Sequence, residues 1–220
     1  MLDFLLCPHI SLRIGNAMSV STKRTKAAEE KRKLILSSAR DIFSENGLEG
    51  ASLRAVAAHA GYTPAALYFH FDSKEALYAE VLHQSLANLG EYVETALKSV
   101  KSHPDRLRTA AMAFFNFYME NSRDLDLGFY LFRGGMKPAG LGQERDIALN
   151  TALENALLPI SQEAVELGAT EEEANLLMVD CFAHATGLLL LLHTGRIRMF
   201  NACASERMEA YVMDQIQRLK

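Results

Sequence analysis

The run SLRAVAAHAGYTPAALYFHFDSKEALY, residues 52–78, places three helix starts and one glycine turn in a short stretch. Ser52 suits the N-cap of the LRAVAAHA that follows, because its hydroxyl can accept from an unpaired N–H of the first turn. Gly61 ends that helix, since it lacks the Cβ that disfavours a left-handed backbone. Thr63-Pro64 restarts it, with threonine as cap and proline at the first helical position, where a missing N–H costs nothing. Asp72-Ser73 supplies the next break and cap. Two short helices joined through Ala60-Gly61-Tyr62 make a helix-turn-helix pattern. The small Ala57 and Ala58 allow close approach. Leu53, Val56 and Leu67 can close a core with Ile35, Ile42 and Phe43. The second helix, expected over Pro64–Phe71, is then free to enter a DNA major groove by its N-terminal end. A purely structural helical hairpin is the other reading of the same residues.

Outward from this stretch the periodicity predicts helix throughout, and hence an all-α chain. Residues 28–46 place Ile35, Ala39, Ile42 and Phe43 on one stripe, stopped by Gly47. A long helix from Ser73 to about Val100 turns Leu77, Val81, Leu82, Leu86, Leu89 and Val93 inward. Further helices are expected from Pro104 to about Asn121, Asp124 to Phe132, 143–167 with a kink at Pro159, Thr170 to about His193, and about Ala202 to Leu219. The domain boundaries that follow are an N-terminal extension over 1–22, expected to be disordered, and a DNA-binding domain over 23–75. A connecting helix over 76–100 leads to a larger helical domain over 101–220. Residues 1–17 make a poor signal peptide, and Met18 reads like a natural start.

Charge distribution sharpens the picture. The net charge is −4, yet residues 1–33 hold seven Lys/Arg against three acids, a balance of +4, which leaves the rest at −8. A basic arm on an acidic body suggests that one end meets a polyanion. Three widely spaced cysteines predict reduced thiols and a cytoplasmic protein. Seven scattered histidines form no HExxH, and there is no nucleophile elbow, P-loop or dinucleotide turn. Neither a cofactor, a metal site nor an enzymatic activity is expected.

Residues 178–193, MVDCFAHATGLLLLLH, are apolar almost all round, which means burial on two sides. The apolar core of this run is about a dozen residues, too short to predict a membrane span. The domain 101–220 is rich in aromatics and Met. These residues are ordinary core by spacing, and as a group they could line an apolar pocket. Pocket candidates are Phe115, Tyr118, Met119, Phe129, Arg133, Phe182 and His184, with Arg133, His184 and Tyr118 as polar handles.

The segment TKRTKAAEEKRKLILSSARDIFSENGLEGASLRAVAAHAGYTPAALYFHFDSKEALYAEVL resembles the N-terminal domain of TetR-type transcriptional regulators. The matching elements include Ile35-Leu36, Asn46-Gly47, Ser52-Leu53, Ala60-Gly61, Leu67-Tyr68, His70-Phe71 and Ser73-Lys74-Glu75. The resemblance implies a ligand-responsive, DNA-binding regulator, a repressor that binds a palindromic operator as a homodimer. It places Tyr68, His70 and Lys74 at phosphate contacts and Thr63, Ala65 and Ala66 at the exposed start of the recognition helix. Two alanines offer only methyl groups, so base reading is expected to lean on Thr63, Arg54, Tyr62 and the arm with Lys23 and Arg24. Phe69 and Phe71 are expected to face inward. The last two helices are implied as a dimer interface through Leu188, Leu189, Leu192, Met208, Tyr211 and Val212. A small apolar or amphipathic effector is implied in the body. The alternative is a helical ligand-binding or protein-interaction dimer that does not bind an operator.

Overall fold

The computed structural model describes residues 14–128 and 141–219. The described residues hold nine α-helices and no strand. They are α1 (Ile14–Gly50), α2 (Leu53–His59), α3 (Pro64–Tyr68), α4 (Lys74–Leu97), α5 (His103–Glu120), α6 (Ser122–Gly128), α7 (Gln143–Glu166), α8 (Glu171–His193) and α9 (Ala204–Arg218). A 3-10 turn, Arg196–Phe200, lies between the last two and has no counterpart in the periodicity reading.

Caps set the boundaries. Ser52, Thr63, Ser73 and Ser102 each accept a backbone N–H three residues on, and Thr170 forms a full capping box with Glu173. Thr170 donates from both its N–H and its hydroxyl to Glu173 Oε2, each at 2.9 Å, and these two bonds hold the Glu173 carboxyl below its usual range. Gly47 sits at φ 68°, so the regular part of α1 breaks where expected. α1 itself starts at Ile14, and it therefore runs through the second half of the stretch expected as a disordered extension. Residues 1–13 lie outside the described residues. α3 is shorter than expected and ends at Tyr68, three residues before Phe71. α7 is one continuous helix with Pro159 inside it.

Two cores result. The head core gathers Ile35, Phe43, Leu53, Val56, Ala57, Leu67, Leu77 and Tyr78 from α1 to α4. The body core gathers α4 to α9 around Phe114, Phe115, Ile160, Leu189, Met208 and Val212. α4 belongs to both, with Leu77 and Val81 in the head and Leu89 and Val93 in the body. Its C-terminal end is fixed. Arg106 Nη1 donates to the carbonyls of Leu97 (3.3 Å) and Val100 (3.1 Å), while Nε donates to Glu163 on α7 at 2.5 Å. His103 Nδ1 adds a second contact to Glu163 at 2.8 Å.

Among the described residues, α8 is the one helix whose length and hydropathy would pass for a membrane span. Within the fold it packs against α5, α7 and α9, and three glutamates open its first turn.

Candidate nucleic-acid interface

The tip of the head is built by turn chemistry. Gly61 takes φ +72°, and Tyr62 N–H donates to the Ala57 carbonyl at 2.8 Å, which folds α3 back across α2. Thr63 Oγ1 accepts from Ala66 N at 3.4 Å. Leu67 is fully enclosed and pins α3 to the head core. Because α3 has five residues, the chain leaves the helix after Tyr68, and Phe69 and His70 stand exposed.

Thr63 and Ala65 are exposed, and Ala66 is half-buried. Tyr68 is 54% exposed. Phe69 corrects the expectation of an inward side chain: it is 85% exposed and stands edge-on to the exposed His70, ring centroids 5.3 Å apart. Phe71 is partly buried against the head core, as expected. Phe69 was missed because alternate faces were assigned along Tyr68-Phe69-His70-Phe71. The available signal was Leu67: in a helical turn the residue two positions on points the opposite way, and the residue four positions on, Phe71, points the same way.

Cations frame this aromatic tip. Lys31 Nζ lies 4.7 Å from the centroid of the half-buried Tyr62 ring, a cation–π contact that brings α1 to the turn. Lys31 was counted in the basic arm and not among the candidate contacts. Arg54 is exposed on the first turn of α2. Lys74, in the first turn of α4, donates from Nζ to the Glu49 carbonyl at 3.3 Å, with the Glu49 carboxylate at 3.9 Å. A lysine has three N–H donors, so this contact leaves two for an anion. Lys23 and Arg24 lie on α1, but their side chains are outside the described residues.

The body candidates divide. Phe115 is fully buried. Phe114 stands edge-to-face with Tyr118 (5.0 Å) and Phe182 (5.5 Å). Burial, and then the nearby Asp124 charge, push the Tyr118 phenol well above its ordinary pKa. Met119 Sδ accepts from Ser205 on α9 at 3.4 Å. His184 is a correction. Its ring stacks on Tyr211 at 4.0 Å between α8 and α9, and its pKa is lowered chiefly by burial, so it serves helix packing instead of the aromatic cluster. Phe129 and Arg133 lie outside the described residues. A groove of about 480 Å³ runs along Asn88, Glu91, Tyr92, Thr95 and Ala96 of α4, and none of the candidates lines it. Tyr92 joins it to the cluster by an edge contact with Phe117 at 5.7 Å.

The interface candidates need a second correction. Leu188, Leu189, Met208 and Val212 are buried within one chain, and Leu192 and Tyr211 partly so, because α8 and α9 pack on each other and on α5. The apolar surface of α8 has another register: Leu176, Val179 and Leu190 are each more than half exposed, with exposed Ala183 and Gly187 between them. Burial, with the Asp180 charge, pushes the Cys181 thiol up to about 12, which leaves it inert. No three His, Cys, Asp or Glu side chains converge as a metal would need among the described residues.

The family model described as "Bacterial regulatory proteins, tetR family" matches residues 35–81, the head and the first turns of α4. Over residues 35–81 this chain is similar to the tetR-family regulators. The transcriptional activator FasR of Mycolicibacterium smegmatis is 36% identical over 101 residues, 46% of this chain and 46% of FasR. The transcriptional regulator RutR of Escherichia coli is 34% identical over 113 residues, 44% of this chain and 53% of RutR. The chain thus spans about half the length of the curated relatives it matches. The fold likeness extends further. The transcriptional regulator FadR from Bacillus subtilis, solved in complex with stearoyl-CoA, superposes with a TM-score of 0.64 at 14% identity, over 84% of this chain and 96% of FadR. These relatives are regulators of transcription, not enzymes.

Proposed function

We propose that this chain is a tetR-family, ligand-responsive transcriptional regulator, a repressor that binds a palindromic operator as a homodimer in the cytoplasm. The observation that carries this reading is the tip of the head. Tyr68 and Phe69 face water there, and the same head carries Lys31 over the Tyr62 ring, the exposed Arg54 on α2 and Lys74 in the first turn of α4. Exposing a phenylalanine almost whole is unfavourable by about 25 cal/mol per Å² of apolar surface, and a DNA backbone with its sugar rings would cover it. Tyr68, His70 and Lys74 contact phosphates in this reading, with the N–H groups at the start of α4 assisting. Thr63, Ala65 and Ala66 enter the major groove, and the alanine methyls suit thymine.

Two heads are needed to read a palindrome, about 34 Å apart or a multiple of that. The exposed α8 stripe supports a dimer: Leu176, Val179, Ala183, Gly187 and Leu190 recur at helical spacing. The small Ala183 and Gly187 at its centre allow two copies of the helix to approach closely. The effector we propose is small and apolar or amphipathic, entering by the α4 groove toward Tyr92 and Phe117. A site beside α4 can bias the two head positions, because the same helix enters the head core.

Selection of binding sites from random duplex DNA with the purified protein tests the reading. A palindrome is the expected product. A pool with no enriched sequence would overturn operator binding.

A further inference from the structure

α6 is a seven-residue helix that belongs to both cores. Leu125 is buried in the body core, and Leu127, 1% exposed, is buried in the head core. Tyr78 of α4 donates its hydroxyl to the Leu127 carbonyl at 2.8 Å. Two ion pairs then tie α6 to adjacent residues of α1. Arg40 Nη2 donates to Asp124 Oδ2 at 2.9 Å, and Arg123 Nη1 donates to Asp41 Oδ1 at 3.2 Å. The pairs run in opposite senses: the head supplies the base to one and the acid to the other. Crossed in this way, they resist both sliding and rotation of α1 on α6.

The two pairs are unequal. Arg123 is well exposed, so its pair is weak. Asp124 is 4% exposed, cut off from hydration, and Arg40 is the cation that neutralises it. Separating them would leave a charge buried alone, which is strongly unfavourable. The head is therefore held on the body at one angle by a directional, charge-assisted hydrogen bond between residues far apart in sequence.

We infer that Arg40 and Asp124 are positioning residues that set the angle of the head on the body, and with it the spacing between operator half-sites that the dimer accepts. This rests on the dimeric operator reading above. In a symmetric dimer a change of head angle appears twice, so a loosened joint widens the range of tolerated spacings. Neither residue needs to touch DNA for this. The Asp124 charge also helps, after burial, to raise the pKa of the Tyr118 phenol in the body aromatic cluster.

The test uses the full chain and the half-site recovered from random duplex DNA, arranged as inverted repeats whose spacers differ by single base pairs. Wild type is expected to show one sharp spacer optimum. Asp124→Asn keeps the shape and removes the charge; it should lower the preference for the best spacer over its neighbours about fivefold or more. Arg40→Lys keeps the charge and should keep the sharp optimum. If Asp124→Asn fails to fold, by circular dichroism and melting, the double substitution Arg40→Gln with Asp124→Asn, which leaves no lone charge, tests the pair. A folded Asp124→Asn, or a folded double variant, with the wild-type spacer profile overturns this inference alone. A wild type with no spacer optimum overturns both it and the dimeric operator reading.

Discussion

Head and body expose apolar side chains in different shapes. On the head they form a point, Tyr68 and Phe69 at the end of a five-residue helix beside cations. On the body they form a line, Leu176, Val179 and Leu190 along a 23-residue helix. A point suits a groove in a rigid polyanion. A line suits a second helix, where knobs must meet over several turns. The same hydrophobic effect thus supports two kinds of recognition, and the length of the supporting helix separates them.

Four substitutions can break or sharpen this contrast. Leu67→Ala, inside the head core, should cost about 2–5 kcal/mol of stability and remove operator binding, because the point loses its support. Thermal unfolding and sedimentation check it; loss of the dimer as well would mean that head and body are not separable. Leu190→Glu, on the line, should convert dimer to monomer in sedimentation velocity with stability changed by less than about 0.5 kcal/mol. A dimer that survives would move the interface off the α8 stripe.

Phe69→Ala should weaken operator binding by about 1–2 kcal/mol, roughly tenfold, and leave the melting temperature unchanged. A stability loss with normal binding would return Phe69 to a packing role. Lys74→Ala should have the smallest effect on affinity. Its signature is the slope of log K against log salt, shallower by about 0.9 if one phosphate contact is lost. An unchanged slope removes it from the phosphate set.

What the sequence made legible was local. The caps at Ser52, Thr63, Ser73 and Thr170 and the turn at Gly61 depend on a few adjacent residues, and all appear in the fold. The resemblance to the tetR family was legible for the same reason, because residues 35–81 carry its signature in order. The side-chain faces were harder. Phe69 misled because alternating faces were assigned to a helical turn, where the residue two on from the buried Leu67 points the opposite way. Leu188 and Leu189 misled because a helix apolar all round carries no periodic signal for which side faces inward. The Arg40–Asp124 pair was invisible, since no local pattern links residues on helices far apart in the chain.

The fixing of α4 at its C-terminal end has a mechanical consequence. Arg106 and Glu163 make that end a fulcrum, and the helix is a lever of 24 residues, about 36 Å long. A turn of about 5° at the fulcrum carries Lys74, at the far end, about 3 Å. That is roughly the rise of one base pair. A strain too slight to disturb the body's packing is therefore amplified, by leverage alone, to the pitch at which DNA presents its phosphates.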